Sequence, residues 1–125
     1  MFSNHTIVSA VLPAMAIRGS VPLPNNEIRL EVGRKESIAA LKAAAASKKY
    51  IVLFVQNDQN VDKPGINDIN HTGVVAKIIY NMVGQTFHKV KLLGIVRCKL
   101  LEFVDTEPFW NASIVTVPIV NDDMR

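Results

Sequence analysis

Asp58, Asn60 and Asp62 alternate along a polar stretch at residues 57–70. A calcium loop presents its first three oxygen ligands at this spacing. Lys63 stands where such a loop needs glycine, and Ile69 where it needs a bidentate glutamate, so no metal site is expected. His5, His71 and His88 are scattered, and the single cysteine, Cys98, cannot complete a zinc site. One cysteine also forms no intrachain disulfide, which suits a reducing compartment. Arg97 and Lys99 flank Cys98 and would lower its pKa. On a strand, however, they point to the opposite face, so Cys98 reads as a small core residue. The serines at 3, 9, 20, 37, 47 and 113 lack the Gly-x-Ser-x-Gly context of a nucleophile elbow. Neither a phosphate-cradling Gly-x-x-x-x-Gly-Lys-Ser/Thr nor a Gly-x-Gly-x-x-Gly is present. No catalytic, cofactor-binding or metal residue is therefore expected.

The elements that would position any site show two periods. Residues 28–32, "IRLEV", alternate apolar and charged as a half-exposed strand does. "GRKESIAALKAAAASKK" then switches to the helical period, with Gly33 a candidate N-cap and Glu36 suited to the positive helix end. The pattern predicts one helix over residues 34–47, with Ile38, Leu41 and Ala45 on its inner face. "YIVLFVQ", residues 50–56, is rich in β-branched and aromatic residues without alternation, as a strand buried on both faces would be. The loop 57–70 follows, with a turn signal at Pro64-Gly65. "TGVVAKIIYNM" and "TFHKVKLLGIV" then flank Val83-Gly84-Gln85 as a hairpin. Val74, Ala76, Ile78 and Tyr80 are expected on one face of its first arm. Residues 97–105 extend the strand pattern, and Pro118 marks residues 112–120 as an edge strand. The expected fold is mainly β, with one inserted helix and six or seven strands.

The chain has 125 residues, 49% hydrophobic and 20% charged. That fits a single globular domain spanning residues 1–125. The apolar start "IVSAVLPAMA" is preceded by no Lys or Arg and is broken by Pro13, so it reads as a first strand, not a signal peptide. The longest unbroken apolar run, "YIVLFV", is far shorter than a membrane span. A cytoplasmic protein without membrane contact is expected. Charge is uneven: five basic residues and no acid lie between 69 and 101, then five acids and no base from 102 to 123. A basic stretch carrying Tyr80 and Phe87 invites an RNA reading. The same lysines also fit the solvent-facing positions of amphipathic strands, which leaves nucleic acid the weaker partner.

Several blocks resemble, in order and spacing, the amino-terminal domain of Lon-type ATP-dependent proteases. They are "VLP" (11–13), "AIRGSVPLP" (16–24), "LEVGRKESIAAL" (30–41), "VDKPGINDINHTGVVAKI" (61–78) and "VKLLGIVRCKLLEF" (90–103). The most specific combination joins Gly33, Arg34, Ser37 and Ile38 with Asp62, Pro64, Gly65 and Asp68, leading into Gly73, Val75 and Ala76. The chain departs from the family at "GSVPLPNNEIRLEV", where Leu23 replaces an aromatic and Asn25, Asn26, Glu27 and Arg29 make the next strand more polar.

The resemblance implies a PUA-like β-barrel that captures unfolded or damaged polypeptides without catalysing anything itself. It implies a larger protease chain, of which these residues are a fragment, whose ATPase uses ATP and magnesium and whose Ser–Lys dyad cleaves the client. A homohexamer is implied for the full-length chain, with the isolated domain a monomer or weak dimer. Candidate client-binding residues are Leu23 and Pro24, within residues 21–30, and the charged helix start Arg34, Lys35 and Glu36. In the loop, Asp62 and Asp68 are expected to hydrogen-bond local backbone. The rival readings are a stand-alone PUA-like RNA-binding module and an oligomerisation domain with no ligand of its own.

Overall fold

The structure is a computed structural model that describes residues 2, 6–20 and 22–118. Val21, most of the first five residues and the acidic end of the chain lie outside the described residues. Six strands and one helix follow in the order β1 (Ser9–Ile17), β2 (Glu27–Val32), α1 (Lys35–Ala45), β3 (Tyr50–Val55), β4 (Thr72–Val83), β5 (His88–Asp105) and β6 (Trp110–Val117). The mainly β expectation with a single inserted helix is met.

Five strands close into a ring. β3 pairs with β1 in parallel and with β4 antiparallel; β4 pairs with β5, β5 with β6, and β6 returns to β1. Closure satisfies both sides of each ring strand where they pair and removes the edges that an open sheet exposes. The expected edge at β6 is thereby corrected. β6 has a partner on either side, and Pro118 lies just past its last residue, where no ladder N–H is required. Edges do remain among the described residues, and two of them bear on binding. β2 pairs with β5 alone, and β4 beyond Lys77 has no strand partner except β5. The long β5 accounts for this arrangement: its residues 88–93 carry β2, while residues 97–105 carry β6.

β3 divides the core into two layers, because its side chains alternate through the sheet. Val52 and Phe54 point into the ring with Ala14, Ala16, Val75, Val96, Cys98, Ala112 and Ile114. Ile51 and Leu53 point outward, to a second layer with Met15, Ile17, Ala40, Leu41 and Ala44. All four β3 residues are 0% exposed, as the unalternating apolar run predicts. Burying each such side chain stabilises the fold by about 1.5–3 kcal/mol. Gly73 lets the chain close over this wall. A Cβ there would sit 2.5 Å from the Leu53 carbonyl oxygen and 2.7 Å from the Phe54 ring.

α1 covers the outer layer with Ser37, Ala40, Leu41 and Ala44, a stripe at helical spacing. Small residues in that stripe let the helix lie close to β1 and β3. The expected face is corrected by one position: Ala45 is exposed and Ala44 is buried. The N-cap is also corrected, from Gly33 to Arg34, which makes no side-chain capping bond. Register shifts in the β4–β5 ladder fall between Val75 and Ala76 and between Ile78 and Tyr80. The second shift breaks the expected alternation, so Tyr80 is 42% exposed rather than inward with Ile78.

Candidate functional site

The loop 57–71 is tied down at both ends. Asn57 N–H donates to the Asp68 carbonyl at 2.8 Å, Asn70 N–H to Val55 at 2.9 Å, and Leu100 N–H to His71 at 2.8 Å. Gln56, only 4% exposed, anchors it from beneath. Its Nε2 donates to the carbonyls of Asp58 at 3.0 Å and Val61 at 2.9 Å. Asp68 performs the local role expected of it, its Oδ2 accepting from Gly65 N–H at 2.7 Å. Asp62 does not: it reaches across to Arg18 at 3.4 Å, with its side chain 95% exposed. The alternating Asp58, Asn60 and Asp62 form no metal cluster among the described residues. Asp58 Oδ1 instead accepts from Asn60 N–H at 2.9 Å, an Asx turn.

This anchored loop forms one wall of a groove of about 560 Å³. The start of α1 and the β5–β6 connection supply the others, and Ala14, Met15 and Ala16 of β1 also line it. Phe103 and Trp110 stack in its lining with centroids 4.6 Å apart, and Phe103 meets the core residue Phe54 edge-on. An aromatic chain thus runs from the core to the groove surface. Arg34 lies where this groove meets a second depression of about 500 Å³ on its β2 side. Its guanidinium donates to the Val61 carbonyl at 3.2 Å. Burial draws the Arg34 pKa down, and nearby Arg18 adds to this, while Asp62 and Glu36 oppose it.

A second surface stands on the arm formed by β4 and β5. Ile79, Tyr80, Met82, Val83 and Phe87 are 47%, 42%, 60%, 71% and 38% exposed. Along residues 79–83 the side of β4 away from β5 has no strand partner among the described residues. Apolar side chains therefore sit beside unpaired backbone. Natural proteins usually blunt such an edge with charge, proline or cover. β2 shows that pattern, with Glu27, Arg29 and Glu31 exposed along it.

The model of the ATP-dependent protease La (LON) substrate-binding domain matches residues 11–124, nearly the whole chain. The chain belongs to this Lon substrate-binding domain family. It is 35% identical over 99 residues to a Lon protease of Heliobacterium modesticaldum, covering 78% of this chain and 12% of that relative. To a Lon protease of Elusimicrobium minutum it is 39% identical over 108 residues, covering 84% of this chain and 13% of that relative. The chain thus spans about an eighth of the length of these curated relatives. Its fold is similar to the N-terminal domain of the Mycobacterium avium complex Lon protease, with a TM-score of 0.63 at 17% identity, over 89% of this chain and 56% of that one. A Lon N-terminal domain protein from Xanthomonas campestris gives a TM-score of 0.60 at 16% identity, over 86% and 57%.

The Lon family blocks place the sequence-derived candidates on different surfaces. Arg34 and Glu36 line the groove, whereas Lys35 is exposed beside it and does not. Leu23 lines a separate hollow of about 300 Å³ beside Ile28 and Leu30. The turn that carries Leu23 and Pro24 is clamped over β5. Asn25 N–H donates to the Gly94 carbonyl at 2.8 Å, and Gly94 N–H to Asn26 at 2.9 Å. The Leu23 carbonyl lies so close to Gly94 that any Cβ there would collide with it. Leu23 and Pro24 are therefore not brought together with Arg34 and Glu36. Sequence reasoning named Tyr80 and Phe87 only for an RNA reading, and singled out neither the groove aromatics nor the exposed apolar β4 edge. The consecutive apolar residues of "IIY" and "MV", which break strand alternation, were the available signal for the edge.

Proposed function

We propose that this domain captures unfolded or damaged polypeptide for a longer Lon-type protease by strand addition to the β4 edge. The observation that carries the reading is the coincidence of exposed Ile79, Tyr80, Met82 and Val83 with a run of β4 that lacks an outer strand partner. Unfolded clients share no sequence, only exposed apolar chain with free backbone groups. An extended segment added to β4 pairs its backbone with the edge and sets alternate side chains against the apolar patch. A folded client has already paired its backbone and buried such side chains.

In the longer protein the captured segment would pass to an ATPase using ATP and magnesium, then to a Ser–Lys proteolytic centre. The match to about an eighth of each curated Lon relative supports placing that machinery elsewhere in a longer chain. Assembly as a homohexamer in the cytoplasm belongs to the same proposal. No helix among the described residues is long and apolar enough to cross a membrane.

The test titrates one protein, permanently unfolded and in its native form, against this domain. The unfolded form should bind at least about tenfold more tightly, because ordering a disordered chain removes only part of the gain from pairing and apolar burial. Equal binding of both forms would overturn the proposal.

A further inference from the structure

The groove between the start of α1, the anchored loop and the β5–β6 connection has a composition unlike the β4 edge. Arg34 and Lys63 are its cations, against four carboxylates: Glu36, Asp62, Glu102 and Glu107. This acidic bias stands on a chain of formal net charge +3. Asp62 is engaged by Arg18 at 3.4 Å, and the Arg34 guanidinium is held to the Val61 carbonyl. Glu36, Glu102 and Glu107 make no ion pair among the described residues. They share the groove with the half-buried, stacked pair of Phe103 and Trp110.

An aromatic face attracts a cation through its ring quadrupole. Carboxylates around it add Coulomb attraction, and the ring surfaces of Phe103 and Trp110 accept the methylene stem of a long cationic side chain. An isolated surface carboxylate adds little, but three that make no ion pair among the described residues, set around an aromatic stack, act on the same guest. We propose that this groove takes an arginine or lysine side chain of an extended apolar client, with its stem against the half-buried aromatic pair and its charge between that pair and the carboxylates of Glu36, Glu102 and Glu107. The proposal rests on the capture reading and gives it a preference: apolar segments that carry a basic residue are held more tightly than apolar segments alone.

Trp110 is the only tryptophan, so its emission reports occupancy of the groove directly, with titration calorimetry giving the same affinity independently. The probes are three capped peptides that are identical and apolar except for one central position occupied by Arg, Gln or Glu. The arginine peptide should bind about tenfold more tightly than the glutamine peptide, with the glutamate peptide weakest. Raising salt from low to physiological strength should narrow the gap. Glu102→Gln with Glu107→Gln, both at exposed positions, should bring the arginine peptide to within about threefold of the glutamine peptide while leaving the latter's affinity unchanged. Equal affinities for the three peptides, with unfolded protein still bound, would overturn the groove's preference and leave the capture reading standing. Loss of all binding, unfolded protein included, would overturn both.

Discussion

Cys98 shows how one residue's chemistry is decided by the face it occupies. Arg97 and Lys99 are exposed and Cys98 is 0% exposed, so the cations lie across the strand from the thiol. Burial pushes its pKa from 9.0 up to about 12, opposed by the weaker effect of a hydrogen bond with the Gly73 backbone. The neutral thiol is therefore the form the fold prefers. Its contribution to stability is complete below pH 9 and is lost as pH rises towards 12. Wild type should lose more stability than Cys98→Ala between pH 8 and about pH 11 in urea titrations. Parallel losses in the two proteins would contradict the assignment. This residue was legible from sequence because strand alternation alone places it. Asp62 was not, because its partner Arg18 is brought near only by the folded ring.

At the scale of elements, periodicity located α1 and β3 well. Both are defined by which side chains meet the sheet, and that is written locally in "SIAALKAA" and "YIVLFV". The failures were non-local. Pro118 suggested an edge, but ring closure by β1 and β5 gives β6 two partners. Tyr80 was expected inward, and a register shift turned it out. The same irregular arm carries the apolar edge. A lysine on such an edge adds a charge that an incoming apolar strand must desolvate. Met82→Lys should weaken binding of an unfolded protein about tenfold or more while leaving the melting temperature within a few degrees, since Met82 is 60% exposed. Leu23→Asp and Lys35→Glu, on surfaces away from this edge, should each weaken it by no more than about threefold. A larger loss at Leu23 or Lys35 than at Met82 would move the capture surface to the β2 side or the helix start.

For the molecule as a whole, the family blocks were legible because they fall where the fold is most constrained. Gly73 lies against the Leu53 carbonyl and the Phe54 ring, and Asp68 closes the turn begun at Gly65. The groove was not legible, because its walls come from β1, α1, the loop and the β5–β6 connection, segments far apart in sequence. A single domain that binds extended clients through one edge and one groove should bind weakly, because ordering the client costs about 2–5 kcal/mol. Presenting six copies on a hexameric scaffold should raise the apparent affinity for a long unfolded chain by about 10²–10⁴ through effective concentration. A short peptide that spans one copy should gain only the statistical factor of the scaffold's copies. Gains of equal size for the two would contradict capture by several weak sites.

In the proposed mode of capture, clients add to the outer edge of β4 at residues 79–83. Hydrogen exchange tests it most directly, because an added strand pairs the outward-facing amides of that edge. Adding a saturating unfolded protein should slow exchange in the peptide fragments that contain Ile79, Tyr80, Met82 and Val83, leave the β1–β6 and β3–β4 ladders unchanged, and have no such effect with the folded form. Saturated binding with unaltered exchange across residues 79–83, or with protection confined to β2, would contradict it.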